Sequence, residues 1–229
     1  MNYYFTVFNE HNFINRYIMQ ITSFVFNPFE VNTYVVTDNT TKECAIIDPG
    51  CHNDKENYIL TDFISGNNLI PKYILNTHAH IDHILGNKFV NTLYRLRPHF
   101  HKQDLFLYIS APQVASLYGI DYSHLDPPYN FIDENTTIKL GDTTLTCLHV
   151  PGHSPGSICF YDDNSKTLFS GDVLFKNSIG RTDLPGGDFD TLIDNITKKI
   201  FTLNDNVIVY PGHGEKTNIR DEKKYNPFF

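Results

Sequence analysis

The sequence predicts an α+β fold in which two mixed β-sheets are flanked by helices. Three observations predict it. Strand-like runs come in clusters, helical segments fall between them without a regular strand–helix rhythm, and 229 residues suffice for one large buried core. Apolar residues make up 41% and charged residues 19%, the balance of a globular chain rather than a disordered one.

The elements follow in order. Residues 1–18 are rich in Asn, Tyr and Phe without a clean period. They read as an appended arm, or as sequence upstream of a natural start at Met19, with the main domain over 19–229. The apolar run Ile21 to Phe26 opens the strand pattern, and Val31 to Thr37 and Cys44 to Ile47 continue it up to a turn at Asp48-Pro49-Gly50. Lys55 to Ser65 carries helical spacing, with Gly66 as its stop. Tyr73 to Leu75 is a short strand running into His78. Gln103 to Leu117 is a second helical region, interrupted by Pro112. Thr136 to Val150 reads as a hairpin turning at Gly141-Asp142, and Ile158 to Tyr161 pairs with Thr167 to Phe169 around Asp162-Asp163-Asn164. Phe189 to Ile200 is an amphipathic helix, and Val207 to Tyr210 a buried strand.

Charge and composition exclude several classes of function. The formal net charge is -8 with no run of Lys or Arg, which disfavours a nucleic-acid partner. No stretch approaches the 18 or so apolar residues of a membrane span, and Met1-Asn2-Tyr3-Tyr4-Phe5 has no basic lead into an apolar core. A cytoplasmic protein without a membrane partner is expected. Cys44, Cys51, Cys147 and Cys159 form no CxxC pair and read as reduced, buried thiols rather than nucleophiles.

Chemistry concentrates in Thr77-His78-Ala79-His80-Ile81-Asp82-His83. If the chain stays extended after Tyr73, His78 and His80 point the same way and grip one ion. Asp82 and His83 point apart, and a helix starting there carries them towards a second ion. Three histidines and a carboxylate packed this closely suit borderline metals such as zinc. Three further candidates follow apolar strands and stand directly after glycine: His153 in Pro151-Gly152-His153, Asp172 in Gly171-Asp172, and His213 in Pro211-Gly212-His213. The other histidines, His11, His52, His99, His101, His124 and His149, lack partners at ligand spacing and read as structural or surface residues.

With these motifs in this order, the chain resembles the metallo-β-lactamase superfamily. Within it the chain is similar to the glyoxalase II group, in particular the short bacterial hydroxyacylglutathione hydrolases. The resemblance runs from Met19 to Phe229 and implies an αβ/βα sandwich with two divalent ions at one edge, zinc first, with iron or manganese as alternatives. It implies that His78, His80 and His153 hold one ion, that Asp82, His83 and His213 hold the other, and that Asp172 bridges them. Asp82 and Asp172 are thereby catalytic as well. Two ions roughly 3.5–4 Å apart can share a water, lower its pKa towards about 7 and present a hydroxide to a carbonyl.

The implied substrate is a small-molecule thioester. Arg181, in Gly180-Arg181-Thr182-Asp183, falls where glyoxalase II has a basic residue that contacts glutathione; pairing with Asp183 or Asp188 is the competing role. Full-length glyoxalase II continues into a C-terminal helical domain and places a tyrosine after its last histidine, where Gly214-Glu215 stands here. The expectation is therefore S-acylglutathione or a related thioester. Alternatives are a mononuclear-iron persulfide dioxygenase, a lactone or β-lactam hydrolase of the same fold, and a metal-binding scaffold.

Overall fold

The computed structural model describes residues 19–229; the N-terminal arm expected at 1–18 lies outside them. A first six-stranded sheet opens as a meander of β1 (Met19–Phe26), β2 (Val31–Asp38) and β3 (Glu43–Ile47). It then switches to parallel pairing. Helix α1 (Asp54–Gly66) leads into β4 (Ile70–Leu75); α2 (Ile81–Ile84) and α3 (Asn87–Tyr94) lead into β5 (Pro98–His101); α4 (Leu105–Leu117) leads into β6 (Asn130–Ile132).

The second sheet, also six-stranded, runs antiparallel through β7 (Thr137–Leu140), β8 (Thr143–His149), β9 (Ile158–Asp162) and β10 (Thr167–Gly171). A short ribbon of β11 (Leu174–Phe175) and β12 (Ser178–Ile179) follows. Helix α5 (Phe189–Asn195) then crosses to β13 (Ile208–Pro211), parallel to β10. β14 (Thr217–Asn218) and α6 (Ile219–Tyr225) close the chain.

Alternation along the strands explains the layering. Tyr34 and Val36 of β2, Ala45 and Ile47 of β3, Cys147 of β8, Phe160 of β9 and Phe169 of β10 meet in the core between the sheets. Their neighbours Val35, Cys44 and Ile46 face outward, where Leu60 and Ile64 of α1 cover them. Cys159 and Leu168 point away from the inter-sheet core towards Leu192 of α5 and Ile219 of α6. The result is the predicted helix–sheet–sheet–helix sandwich. All of β2 is buried because it has a layer on each side.

Three local readings shift. The first helix does not stop on a left-handed Gly66. Asn67 satisfies the Phe63 carbonyl through both its backbone N and its Nδ2, and Asn68 takes the left-handed turn at φ 53°. The Phe189–Ile200 helix loosens into a π-turn over Ile196–Ile200. β5 and β6 were not expected, being only four and three residues long. No helix among the described residues is long and apolar enough to cross a membrane.

Candidate metal centre

The candidate side chains converge on one edge of the sandwich, where strands of both sheets end. β4 ends at Leu75 and the chain remains extended to His80, which stands at the N-terminal boundary of α2. Helical geometry then sets the directions of Asp82 and His83. From the second sheet, His153 follows β8, Asp172 follows β10 and His213 follows β13.

Two triads result. His78, His80 and His153 bring one ring nitrogen each together: His153 Nε2 lies 2.9 Å from His80 Nδ1 and 3.2 Å from His78 Nε2. Asp82, His83 and His213 form the other, with Asp82 Oδ2 at 3.1 Å from His213 Nε2 and 3.4 Å from His83 Nε2. Asp172 stands between them. Its Oδ2 is 3.7 Å from His153 Nε2 and 3.6 Å from His213 Nε2, while its Oδ1 is 3.4 Å from His83 Nε2. Glycine before His213 is a packing requirement, since a Cβ on Gly212 would lie 2.1 Å from Asp172 Oδ1.

Hydrogen bonds behind the rings fix which nitrogen faces inward. His153 Nδ1 donates to the Arg181 carbonyl at 2.7 Å, and His213 Nδ1 to the Glu30 carbonyl at 3.2 Å. His83 Nδ1 donates to Asp48 Oδ2 at 3.0 Å. Thr77 Oγ1 donates to the same Asp48 carboxylate at 2.7 Å, leaving its lone pair to accept from His78 Nδ1 at 3.1 Å. In each case Nε2 is the nitrogen turned towards the centre.

The triads differ in electrostatics. Burial, then the neighbouring imidazoles, holds the His78 pKa well below its ordinary value, and burial with His153 brings His80 down to about 3. Burial also pulls on His83, but Asp82, Asp172 and Asp48 together outweigh it and raise its pKa. His213 is raised likewise: Asp82 and Asp172 prevail over burial. Burial works against the ionised forms of Asp82 and Asp172, yet the surrounding imidazoles keep both pKa values low. His83 Nε2 and Asp172 Oδ1 are buried without a hydrogen-bond partner among the described residues. Unpartnered nitrogen and carboxylate donors converging on one point fit a borderline divalent cation.

All seven motif residues are thus brought together. Arg181 is near them through its carbonyl, but its guanidinium makes a bidentate pair with Asp183, at 2.7 Å on each arm. Sequence reading missed two buried carboxylates, Asp48 and Asp104. Asp48 looked like ordinary turn chemistry before Pro-Gly. It holds a left-handed φ of 49°, and its carboxylate also accepts from the Thr77 backbone N–H at 2.7 Å. His52, His99, His101, His124 and His149 lie outside both triads, as expected, and His149 stacks on His101 instead. All four cysteines are free and buried, and burial pushes the Cys44, Cys51 and Cys147 thiols up to about 12, which removes them as nucleophiles.

Comparison with known proteins agrees with this geometry. Residues 26–213 match the model of the metallo-beta-lactamase superfamily. The chain is 37% identical over 218 residues to hydroxyacylglutathione hydrolase GloC of Haemophilus influenzae, covering 92% of this chain and 98% of that one. Among solved structures, the BLEG-1 B3 metallo-beta-lactamase superposes with a TM-score of 0.82 at 35% identity, covering 91% of this chain and 99% of that one. TTHA1623, solved in a di-iron-bound form, superposes with a TM-score of 0.80 at 34% identity, covering 90% and 99%. The chain belongs to the metallo-beta-lactamase superfamily.

Proposed function

We propose that the chain is a dinuclear metal-dependent hydrolase of thioesters, acting on S-acylglutathione or a related small acyl-thiol. The observation that carries the reading is the position of Asp172, whose one carboxylate reaches both triads. In this reading His78, His80 and His153 hold one ion, Asp82, His83 and His213 hold the second, and Asp172 spans them. Zinc suits the donor set, and the di-iron relative makes iron the alternative. The ions would polarise the acyl carbonyl and acidify a water enough for attack at neutral pH.

The chain's own residues do the rest. Asp172 fixes the spacing of the two triads, and the Asp48, Glu30 and Arg181 acceptors hold the imidazoles in the tautomer that a cation needs. No general acid is required for departure of a thiolate, because thiols ionise near pH about 8.5. Arg181 would take a substrate carboxylate by exchanging it for Asp183, at little cost because the pair is exposed. Four buried free thiols support a reducing, cytoplasmic setting. Likeness to hydroxyacylglutathione hydrolase GloC supports the thioester. Likeness to a B3 metallo-beta-lactamase favours β-lactam hydrolysis as the second reading.

Metal analysis combined with a substrate panel tests this. Acyl-thioesters including S-lactoylglutathione, a lactone, a chromogenic β-lactam and a persulfide would be assayed on the purified chain. The expected result is about two ions per chain and preferential thioester cleavage. Preferential β-lactam opening would replace the substrate assignment. One iron per chain with oxygen uptake on the persulfide would overturn the hydrolase.

A further inference from the structure

Asp104 stands at the N-terminal boundary of α4, where a carboxylate usually caps its own helix. It makes no such bond. Its fully buried side chain turns the other way and accepts three hydrogen bonds. Oδ1 accepts from Gly156 N at 2.6 Å; Oδ2 accepts from Ala79 N at 3.0 Å and from Ser154 Oγ at 2.8 Å.

Those donors belong to two separate segments. Ala79 lies between His78 and His80, and Ser154 follows His153. The first segment extends from the first sheet and the second from the other, so one carboxylate ties together both stretches that carry the first triad. The fit is close: a Cβ on Gly156 would lie 2.6 Å from Asp104 Cγ. A second attachment steadies the presenting turn. His101, at the end of β5, stacks on His149, at the end of β8, with ring centroids 4.0 Å apart, and His149 Nε2 donates to the Pro155 carbonyl at 2.8 Å.

The second triad is braced differently. His83 leans on Asp48, His213 on the Glu30 carbonyl, and the Asp82 carbonyl accepts from Asn27 Nδ2 at 3.0 Å. None of its members is hydrogen-bonded to Asp104.

We infer that Asp104 is the positioning residue of the first metal subsite: by fastening Ala79, Ser154 and Gly156 to one buried carboxylate, it sets the separation of His78, His80 and His153 and so the affinity of that subsite alone. An amide cannot replace it, because its NH2 would face a donor on one side or the other. The inference rests on the dinuclear reading.

The test measures cobalt(II) affinity of the full chain by calorimetric and absorbance titration. Asp104→Asn would be examined in two backgrounds, His213→Ala, which leaves the first triad whole, and His153→Ala, which leaves the second. Asp104→Asn is expected to weaken binding about 10–100-fold in the His213→Ala background and to leave it unchanged in the His153→Ala background. Ser154→Ala, which removes a single donor, is expected to give a smaller loss with the same selectivity, and it decides the matter if Asp104→Asn does not fold. Equal weakening in both backgrounds, or none in either, would overturn the positioning role. Failure of the unsubstituted chain to bind two ions would instead overturn the dinuclear reading.

Discussion

The two triads share one stretch of chain yet hold their side chains by opposite means. His78, His80 and His153 form an all-imidazole pocket, with His78 and His153 buried and His80 half-buried, in which burial lowers the pKa of His78 and His80. Asp82, His83 and His213 mix acids and bases, and His213 keeps 28% of its side chain exposed. The change falls at His80, where extended chain becomes helix. Before it, alternate side chains share a direction; after it, Asp82 and His83 diverge. In the proposed dinuclear reading, one triad would select its cation by the spacing of imidazole donors, the other by charge.

Asp172→Ala should break this comparison most severely, since it deletes the group that reaches both triads. Turnover is expected to fall by on the order of 10²-fold or more, and bound metal to drop from about two ions towards one. Normal turnover in the variant would mean that the triads work without a bridge. Asp48→Asn comes next. The Asp48 carboxylate supports His83 directly and His78 through Thr77, so the affinity of both triads is expected to fall about 10–100-fold. Titration showing a loss at only one triad would contradict that shared support.

The smallest effect concerns His101 and His149, stacked imidazoles with no carboxylate between them. Burial, then His149, lowers the His101 pKa from 6.5 to about 4 against a weaker opposing pull from Asp133 and Glu134. Between those values the unfolded chain binds a proton that the folded chain does not. Stability should therefore fall as pH drops from 6.5 to about 4, and level off below it. His101→Phe keeps an aromatic stack without the titration, so its melting temperature should depend less on pH across that window. An unchanged dependence would assign the acid sensitivity to other groups.

What could be read from the sequence was whatever is local. The dense His78 to His83 cluster, and glycine before His153, Asp172 and His213, identified every member of both triads because each carries its signal within a few residues. Short strand-like runs at Val31 to Thr37 and Cys44 to Ile47, bounded by turn residues, marked two strands of the first sheet. Asp104 was hidden because it fell inside the helical run Gln103 to Leu117 with no motif around it, and only the folded chain brings Gly156 and Ser154 to it. Asp48 was hidden by the turn residues after it. β5 escaped notice because it begins with proline and alternates buried Pro98 and Phe100 with half-buried histidines, a pattern too short to have a period.

The backbone lacing between the sheets has a consequence for how the protein assembles. Asn32 N donates to the Gly212 carbonyl at 2.7 Å, Tyr34 Oη to the Pro211 carbonyl at 2.7 Å, and Ile158 N to the Thr77 carbonyl at 2.7 Å. These bonds join parts of the chain that are far apart in sequence, and they lie beside the residues that would take up the ions. Neither sheet alone owns a complete triad, so a cation held as proposed would need the two halves docked. Once captured, an ion present at about 100 times its dissociation constant would add roughly 2.7 kcal/mol to the docked state. The cations would then act as rivets across the seam, and their removal would be felt first as separation of the two layers at this rim.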